Sequence, residues 1–340
     1  MKRKVIVVMG GWSPEAPVSL RSGLNAFQEL PAGKYSKRAV VLNADRRAAF
    51  LPEGVSPDEE NLKDSVYRNL TEVFSEVLAW GAEAALLALH GRGGEDGAFQ
   101  GFLSTLGIPF THSGVTASAV AMEKDIAKLL YAAAGVRIPR GVTVCAMDDP
   151  AEEVRKASLS YPLIAKPLAS GSSFGLWLLQ NENELREKTP EFWKNGSLYL
   201  LEEFVKGREF TCVVITRKGC PCAMPVTEIV SRTGVLFDFK AKYTKGSSEE
   251  ITPARISGEL SDKIREAAVK CHQALRCAGV SRTDFMVNDK EEVFALETNT
   301  IPGMSAASIL PGVARNVGID FSQILDEMVE EAIRSANNNC

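Results

Sequence analysis

The stretch at residues 280–308 reads VSRTDFMVNDKEEVFALETNTIPGMSAAS. Its centre, residues 288–291, is rich in polar turn formers, and β-type runs at 282–287 and 292–299 flank it, the pattern of an antiparallel hairpin. With Asp289-Lys290 as the tip, Arg282 is expected opposite Glu297 and Asp284 opposite Ala295. Directly opposed residues share a face and alternate residues return to it. One face is therefore expected to carry Arg282, Asp284, Met286, Val293, Ala295, Glu297 and Asn299. The other, with Thr283, Phe285, Val287, Phe294, Leu296 and Thr298, suits a hydrophobic layer. Two carboxylates, an amide oxygen and a guanidinium then converge on a small patch. Hard oxygen donors of this kind suit Mg²⁺, which takes a couple of carboxylates plus substrate phosphates rather than a closed protein cage. Taken by itself, a half-solvated hairpin with ordinary surface charges is the simpler reading, since alternating strands commonly keep one wet face.

The chain around the hairpin has 340 residues, enough for two or three domains with a large core. Its 45% hydrophobic and 24% charged content is that of an ordinary globular protein. A net charge of −4 provides no broad basic field, so nucleic acid is not an expected partner and positive charge for a ligand must be local. The apolar run at 5–9 is too short for a signal peptide, and no run approaches membrane-spanning length. A cytoplasmic protein with no membrane contact is expected. Seven scattered cysteines, an odd number, point to reduced thiols. Cys220-Pro221-Cys222 reads as part of a turn and lacks a second pair at zinc-ligand spacing.

From the N-terminus, strand patterns at 4–9, 38–42 and 84–89 alternate with helical ones at 18–30 and 58–80. This predicts a parallel α/β domain with ligand-binding turns at strand C-terminal ends. Two glycine-rich turns fall there, GGWS at 10–13 and HGRGGEDG at 90–97, the second adding His90, Arg92, Glu95 and Asp96. No GxGxxG or GxxxxGK[ST] occurs, so ordinary Rossmann and P-loop sites are not supported. A long helix is expected over 117–134, stopped by Gly135, then a small α+β unit to about residue 219. A strand-rich third section holds the hairpin and ends in a helix near 321–335.

Three further stretches carry candidate chemistry. SGSSFG, 170–175, follows a strand ending in Lys166-Pro167; its backbone N–H groups and hydroxyls can cradle phosphate oxygens, or it is a plain hairpin loop. LLEEFVKGREF offers Glu202, Glu203 and Glu209 around a strand, one of which could accept hydrogen bonds from a ribose; a charged edge strand is the alternative. FDFKAKYTKGSSEE, 237–250, is dense in lysine, glycine and serine, and its lysines could close over phosphates or simply face solvent.

The order of these motifs carries more than any one of them. GGWSPEAPVSLRSG, HGRGGEDGAFQG, AMEKDIAK, KPLASGSSFG, LEEFVKGREF, FDFKAKY, SRTDFM and LETNTIPGMSAAS follow one another as in the D-alanine–D-alanine ligase family of ATP-grasp enzymes, which the chain resembles over nearly its whole length. The resemblance implies an α/β and α+β protein with a three-domain ATP-grasp fold: an N-terminal parallel α/β domain (1–118), a central ATP-grasp domain (119–219) and a C-terminal domain (220–340) holding the metal site and a mobile loop. It implies that Lys124 and Lys166 contact ATP phosphates, that Lys242 reaches the γ-phosphate, that Glu202, Glu203 and Val205 line the adenine edge, and that Glu209 binds the ribose. Asp284, Glu297 and Asn299 would hold two Mg²⁺, for which Mn²⁺ can substitute. Arg282 and the Gly303 N–H would form an oxyanion site, Glu15 would bind the first D-alanine ammonium with Ser172 and Tyr243 orienting it, and Ser308 would take the second carboxylate. Ligation of two D-alanines for peptidoglycan by a cytoplasmic homodimer is the implied activity; D-lactate or D-serine as acceptor, or a non-catalytic nucleotide binder on the same fold, are the alternatives. SGSSFG resembles the version in D-lactate-using ligases and FDFKAKY that in dipeptide-forming ones. Ala16-Pro17 stands where the family usually has charged residues, and Thr283, Thr298 and Ala295 replace more usual or larger aliphatics in the hairpin.

Overall fold

The computed structural model describes residues 2–169, 175–195, 198–231 and 248–338. In the N-terminal section, β1 (Arg3–Gly10) is hydrogen-bonded in parallel to β2 (Tyr35–Leu42) on one side and to β5 (Ala84–Leu87) on the other. Val5 to Met9 are fully buried, as the central strand of a covered parallel sheet requires. The expected parallel core is present and is extended at one edge by antiparallel β3 (Arg47–Phe50) and β4 (Arg68–Asn69). Helix α1 (Ala16–Glu29) follows β1. The helix expected over 58–80 is interrupted: α2 (Glu59–Lys63) starts at the Asp58 cap, β4 intervenes, and α3 (Leu70–Trp80) ends at left-handed Gly81. Glycine suits that C-terminal position because it lacks the Cβ penalty.

Helix α4 (Ala98–Thr105) follows the second glycine-rich turn. The single helix expected over 117–134 is instead α5 (Val115–Met122) and α6 (Lys124–Ala133), separated by Glu123 in an extended conformation. That break turns Lys124 into the first residue of a new helix, with its side chain buried. The central section is an antiparallel sheet in the order β6-β9-β7-β8, built from β6 (Gly141–Cys145), β7 (Leu163–Pro167), β8 (Trp177–Leu179) and β9 (Leu198–Glu203). Helices α7 (Pro150–Lys156) and α8 (Glu182–Asn195) complete the unit. Phe192 stacks on Tyr199 with ring centroids 4.4 Å apart in its core.

The sheets change over between Glu203 and Arg208. β10 (Arg208–Arg217) already belongs to the third sheet, with β11 (Cys220–Ala223), β12 (Thr227–Ser231), β13 (Ser248–Ile251), β14 (Val280–Val287) and β15 (Val293–Asn299). Cys220 and Cys222 lie on strand β11 rather than in a turn. A 17-residue helix the sequence reading passed over, α9 (Gly258–Ala274), packs Leu260, Ile264, Ala268 and Cys271 into a core with Phe285, Val287 and Ala295. The chain ends with α10 (Ile309–Asn316) and α11 (Phe321–Asn338). α11 returns Ile324, Leu325, Met328 and Val329 to the N-terminal core. Among the described residues no helix is long and apolar enough to cross a membrane.

Candidate active site

The hairpin forms, with a different register. Asn288 pairs with Glu292, and the Asn288 side chain accepts hydrogen bonds from the Lys290 and Glu292 N–H groups at 3.0 Å, so the tip is one residue longer than expected. A bulge beside Phe285 then skips Leu296. Together these shift the base by two positions: Arg282 faces Asn299 and Asp284 faces Glu297, not Glu297 and Ala295. A shift of two restores the face, so Arg282, Asp284, Glu297 and Asn299 are on one side after all. Ala295 and Val293, expected on that side, turn instead to the face of Phe285 and Val287, and Ala295 is fully buried. The departures at Thr283 and Thr298 have a simple account: the two hydroxyls lie 2.8 Å apart, and Tyr131 donates to Thr298 Oγ1 at 2.7 Å, so buried polar groups are satisfied.

On the polar face, Arg282 grips Asp284 with two bonds, Nε and Nη2 each 3.0 Å from a carboxylate oxygen. Thr211 on β10 donates to Asp284 Oδ1 at 2.6 Å, and Glu209, directly opposite Met286, shares that face. Burial works to lower the Arg282 pKa, but the charges of Asp284, Glu297 and Glu95 outweigh it and hold the guanidinium above its usual range. Glu297 lies 3.6 Å from Lys124 Nζ, which also reaches the Leu168 carbonyl at 3.3 Å. Glu95, Lys124, Glu297, Asn299 and Thr300 line one small cavity of about 30 Å³. Two carboxylates and an amide oxygen on one face fit Mg²⁺ completed by substrate oxygens; among the described residues no three His, Cys, Asp or Glu side chains form a closed cage.

Behind the cavity is a second cluster. Glu202 is buried between Lys166, 2.5 Å from Oε1, and Lys128, 2.7 Å from Oε2. The Lys128 contact is an ion pair off the hydrogen-bonding direction. Burial would raise the Glu202 pKa, yet the two ammonium groups hold it below the usual range, while burial lowers that of Lys128. Lys128 was not singled out from sequence, although it sits four residues after Lys124 on the same helical face. Glu203 points away, accepting from the Ser160 N–H at 2.9 Å, and Val205 is half-buried in the link to β10.

The N-terminal section supplies the other wall. Glu15 caps α1, and Pro17 falls in that helix's first turn, where its missing N–H costs nothing, so Ala16-Pro17 leaves the glutamate in place. Its carboxylate lies against Gly91, whose φ of +71° and bare Cα allow the approach. Beside it, buried Glu95 accepts from the Gly91 N–H at 2.8 Å and from the Ile301 N–H at 3.2 Å. Burial and the nearby Glu15 charge push its pKa up to about 8. His90, pushed down to about 4 by burial, bonds Ser22 through Nε2 at 2.9 Å and also meets the Ile301 backbone. Gly303 sits over Ser308, where a Cβ would come within 2.8 Å of the serine Oγ. Ser308 is the N-cap of α10, with its Oγ 2.8 Å from Ser305 Oγ. Ser172, Lys242 and Tyr243 lie outside the described residues.

Residues 4–113 match the family model described as the D-ala D-ala ligase N-terminus, and residues 130–330 match that of the D-ala D-ala ligase C-terminus. The chain belongs to the D-alanine–D-alanine ligase family. Among its relatives in the family, the D-alanine–D-alanine ligase of Methylocella silvestris is 40% identical over 98% of this chain and 99% of its own. That of Rhodopseudomonas palustris is 38% identical over 97% and 98%. Similar solved structures include the VanG D-Ala:D-Ser ligase of Enterococcus faecalis, with TM-score 0.84 and 29% identity over 98% of this chain and 100% of that one. A D-alanine–D-alanine ligase of Bacillus anthracis complexed with ATP gives TM-score 0.79 and 28% identity over 99% and 100%. The fold is thus shared with these solved structures over nearly the whole chain.

Proposed function

We propose that this chain joins two D-alanines to D-alanyl-D-alanine at the expense of ATP, through a D-alanyl phosphate. The observation that carries the reading is the face where Asp284 opposes Glu297 and Arg282 opposes Asn299, with Glu15 on the facing wall. Glu15 holds the ammonium of the first D-alanine, and Arg282 with the Gly303 N–H receives its carboxylate. Lys124 and Lys166 meet the ATP phosphates, joined by Lys242, and Glu209 accepts from the ribose; Glu202 borders the adenine together with the backbone of Glu203 and Val205. Asp284, Glu297 and Asn299 would hold two Mg²⁺, or Mn²⁺, which supply charge neutralisation for phosphoryl transfer.

A carboxylate is a poor electrophile. Transfer of the γ-phosphoryl to one carboxylate oxygen releases ADP and leaves an acyl phosphate. The amine of the second D-alanine, its carboxylate at Ser308 and the N-terminus of α10, attacks the carbonyl carbon. The C–N bond forms, negative charge gathers on the carbonyl oxygen, and Arg282 and the Gly303 N–H stabilise it where it develops. Collapse breaks the C–O bond to phosphate, which departs, and the amine gives up its proton. Ser172 and Tyr243 orient Glu15 in this reading. The product serves peptidoglycan assembly in the cytoplasm, and the active species is a homodimer.

The test is ADP release with product identification in ATP, Mg²⁺ and D-alanine, alone and with equal D-lactate or D-serine. D-alanyl-D-alanine should be the main product at mildly alkaline pH, and L-alanine should not replace D-alanine. A predominance of D-alanyl-D-lactate or D-alanyl-D-serine would move the chain to another acceptor class; ADP release independent of any D-alanine would overturn the ligase reading.

A further inference from the structure

Gly303 is held by a helix almost three hundred positions away in sequence. The Met304 N–H donates to Ser22 Oγ at 3.1 Å, and its carbonyl accepts from Asn25 Nδ2 at 2.8 Å. Ser22 and Asn25 lie three apart on α1, hence on one helical face, and grip both polar groups of the residue that follows Gly303. Two positions before Gly303, the Ile301 N–H donates to Glu95. His90 completes the circuit, with its Nε2 2.9 Å from the Ser22 hydroxyl. In either imidazole tautomer the Ser22 oxygen keeps a lone pair for the Met304 N–H. Ser22, His90, Glu95 and Met304 are all buried, so water does not compete for these bonds.

We infer that Ser22 and Asn25 are positioning residues that set the distance between the ammonium anchor and the oxyanion donor. The same rigid helix carries Glu15 at its N-terminus and the two latches about two to three turns on, about 10–15 Å along its axis. An amino acid presents its ammonium and carboxyl at a fixed spacing, so a loop that drifted from α1 would leave the Gly303 N–H misplaced for a substrate held at Glu15. The inference rests on the oxyanion reading of Arg282 and Gly303.

The experiment compares Ser22→Ala, Asn25→Ala and Arg282→Ala for turnover, KM of the first D-alanine, ATP affinity, melting temperature and affinity for a phosphinate dipeptide mimic in the presence of ATP. Since a displacement near 1 Å can cost about 10²-fold, each latch variant should lose roughly tenfold to a hundredfold in kcat and in mimic affinity, with KM and ATP affinity within about twofold. Ser22→Thr, which keeps the hydroxyl, should recover part of the loss. Because Ser22 is fully buried, Asn25→Ala, at a half-buried position, carries the test if Ser22→Ala fails to fold. If Arg282→Ala weakens the mimic but a folded latch variant does not, the latch is wrong and the oxyanion reading stands. If Arg282→Ala leaves mimic affinity unchanged, the oxyanion reading fails and takes the latch with it.

Discussion

Arg282 and Asp284, two residues apart on β14, hold each other by two 3.0 Å bonds while Asp284 faces Glu297 across the ladder. The proposed oxyanion donor is thus aimed by a proposed metal ligand. Removing one oxyanion donor typically costs ~10²–10³ in rate, so Arg282→Ala should lose about that much in kcat while ATP affinity changes little. Arg282→Lys should not rescue it, because an ammonium lacks the planar fork that matches Asp284. Nucleotide binding by equilibrium titration, set beside kcat, checks this; a collapse in ATP affinity with normal turnover by the bound enzyme would make Arg282 a phosphate clamp.

Glu297 stands between Asp284 and Lys124, opposite one and 3.6 Å from the other. Glu297→Gln keeps the shape and removes the charge. Turnover should nearly vanish at any Mg²⁺ concentration while circular dichroism stays as in the parent. Substantial activity restored by saturating Mg²⁺ would show that Glu297 does no more than raise metal affinity.

The buried Lys128–Glu202–Lys166 cluster makes opposite predictions for its members. Glu202→Ala leaves two lysines buried without a counter-charge, and breaking such a pair costs about 3–5 kcal/mol. Lys166→Met leaves Lys128 and Glu202 balanced, so it should cost much less stability yet weaken ATP. Denaturant unfolding with nucleotide titration on both variants separates the two effects. Equal destabilisation would mean that the cluster's charge balance does not matter.

Glu95 gives a pH signature. Its carboxyl titrates near 8 in the folded protein against 4.5 for an ordinary glutamate, first through burial and then through the Glu15 charge. Between those values the folded state holds a proton that the unfolded chain has lost. Its contribution to stability is therefore full below 4.5 and is lost as pH rises through 8. His90 has the opposite sense, but only between about 4 and 6.5. From pH 6.5 to 8 the parent should lose stability relative to Glu95→Gln; parallel profiles would show that Glu95 is ionised throughout.

What the sequence disclosed followed from local rules. Alternation placed the four polar groups of the hairpin together because face membership depends only on parity, and two one-residue irregularities add to an even shift. The longer tip, closed by the Asn288 side chain, puts Ala295 in the core, and the bulge at Leu296 then returns Glu297 and Asn299 to the polar face. Helix α9 was legible: Ser257 caps it, and Leu260, Ile264, Ala268 and Cys271 repeat at helical spacing. The break at Glu123 had no Gly or Pro to announce it, and the contacts of Lys124 beyond it, to Glu297 and Leu168, are remote in sequence. Ser22 and Asn25 looked like ordinary helix polar residues, because a contact across 282 positions leaves no local pattern.

In the proposed mechanism a D-alanine carboxylate oxygen is phosphorylated before the amine attacks. D-alanine labelled with ¹⁸O in its carboxyl group, incubated with ATP and Mg²⁺, tests it by mass analysis of the released phosphate. One ¹⁸O should appear in each phosphate for every D-alanyl-D-alanine formed, because the oxygen that accepts the phosphoryl group leaves with it. Unlabelled phosphate alongside dipeptide would rule out an acyl phosphate.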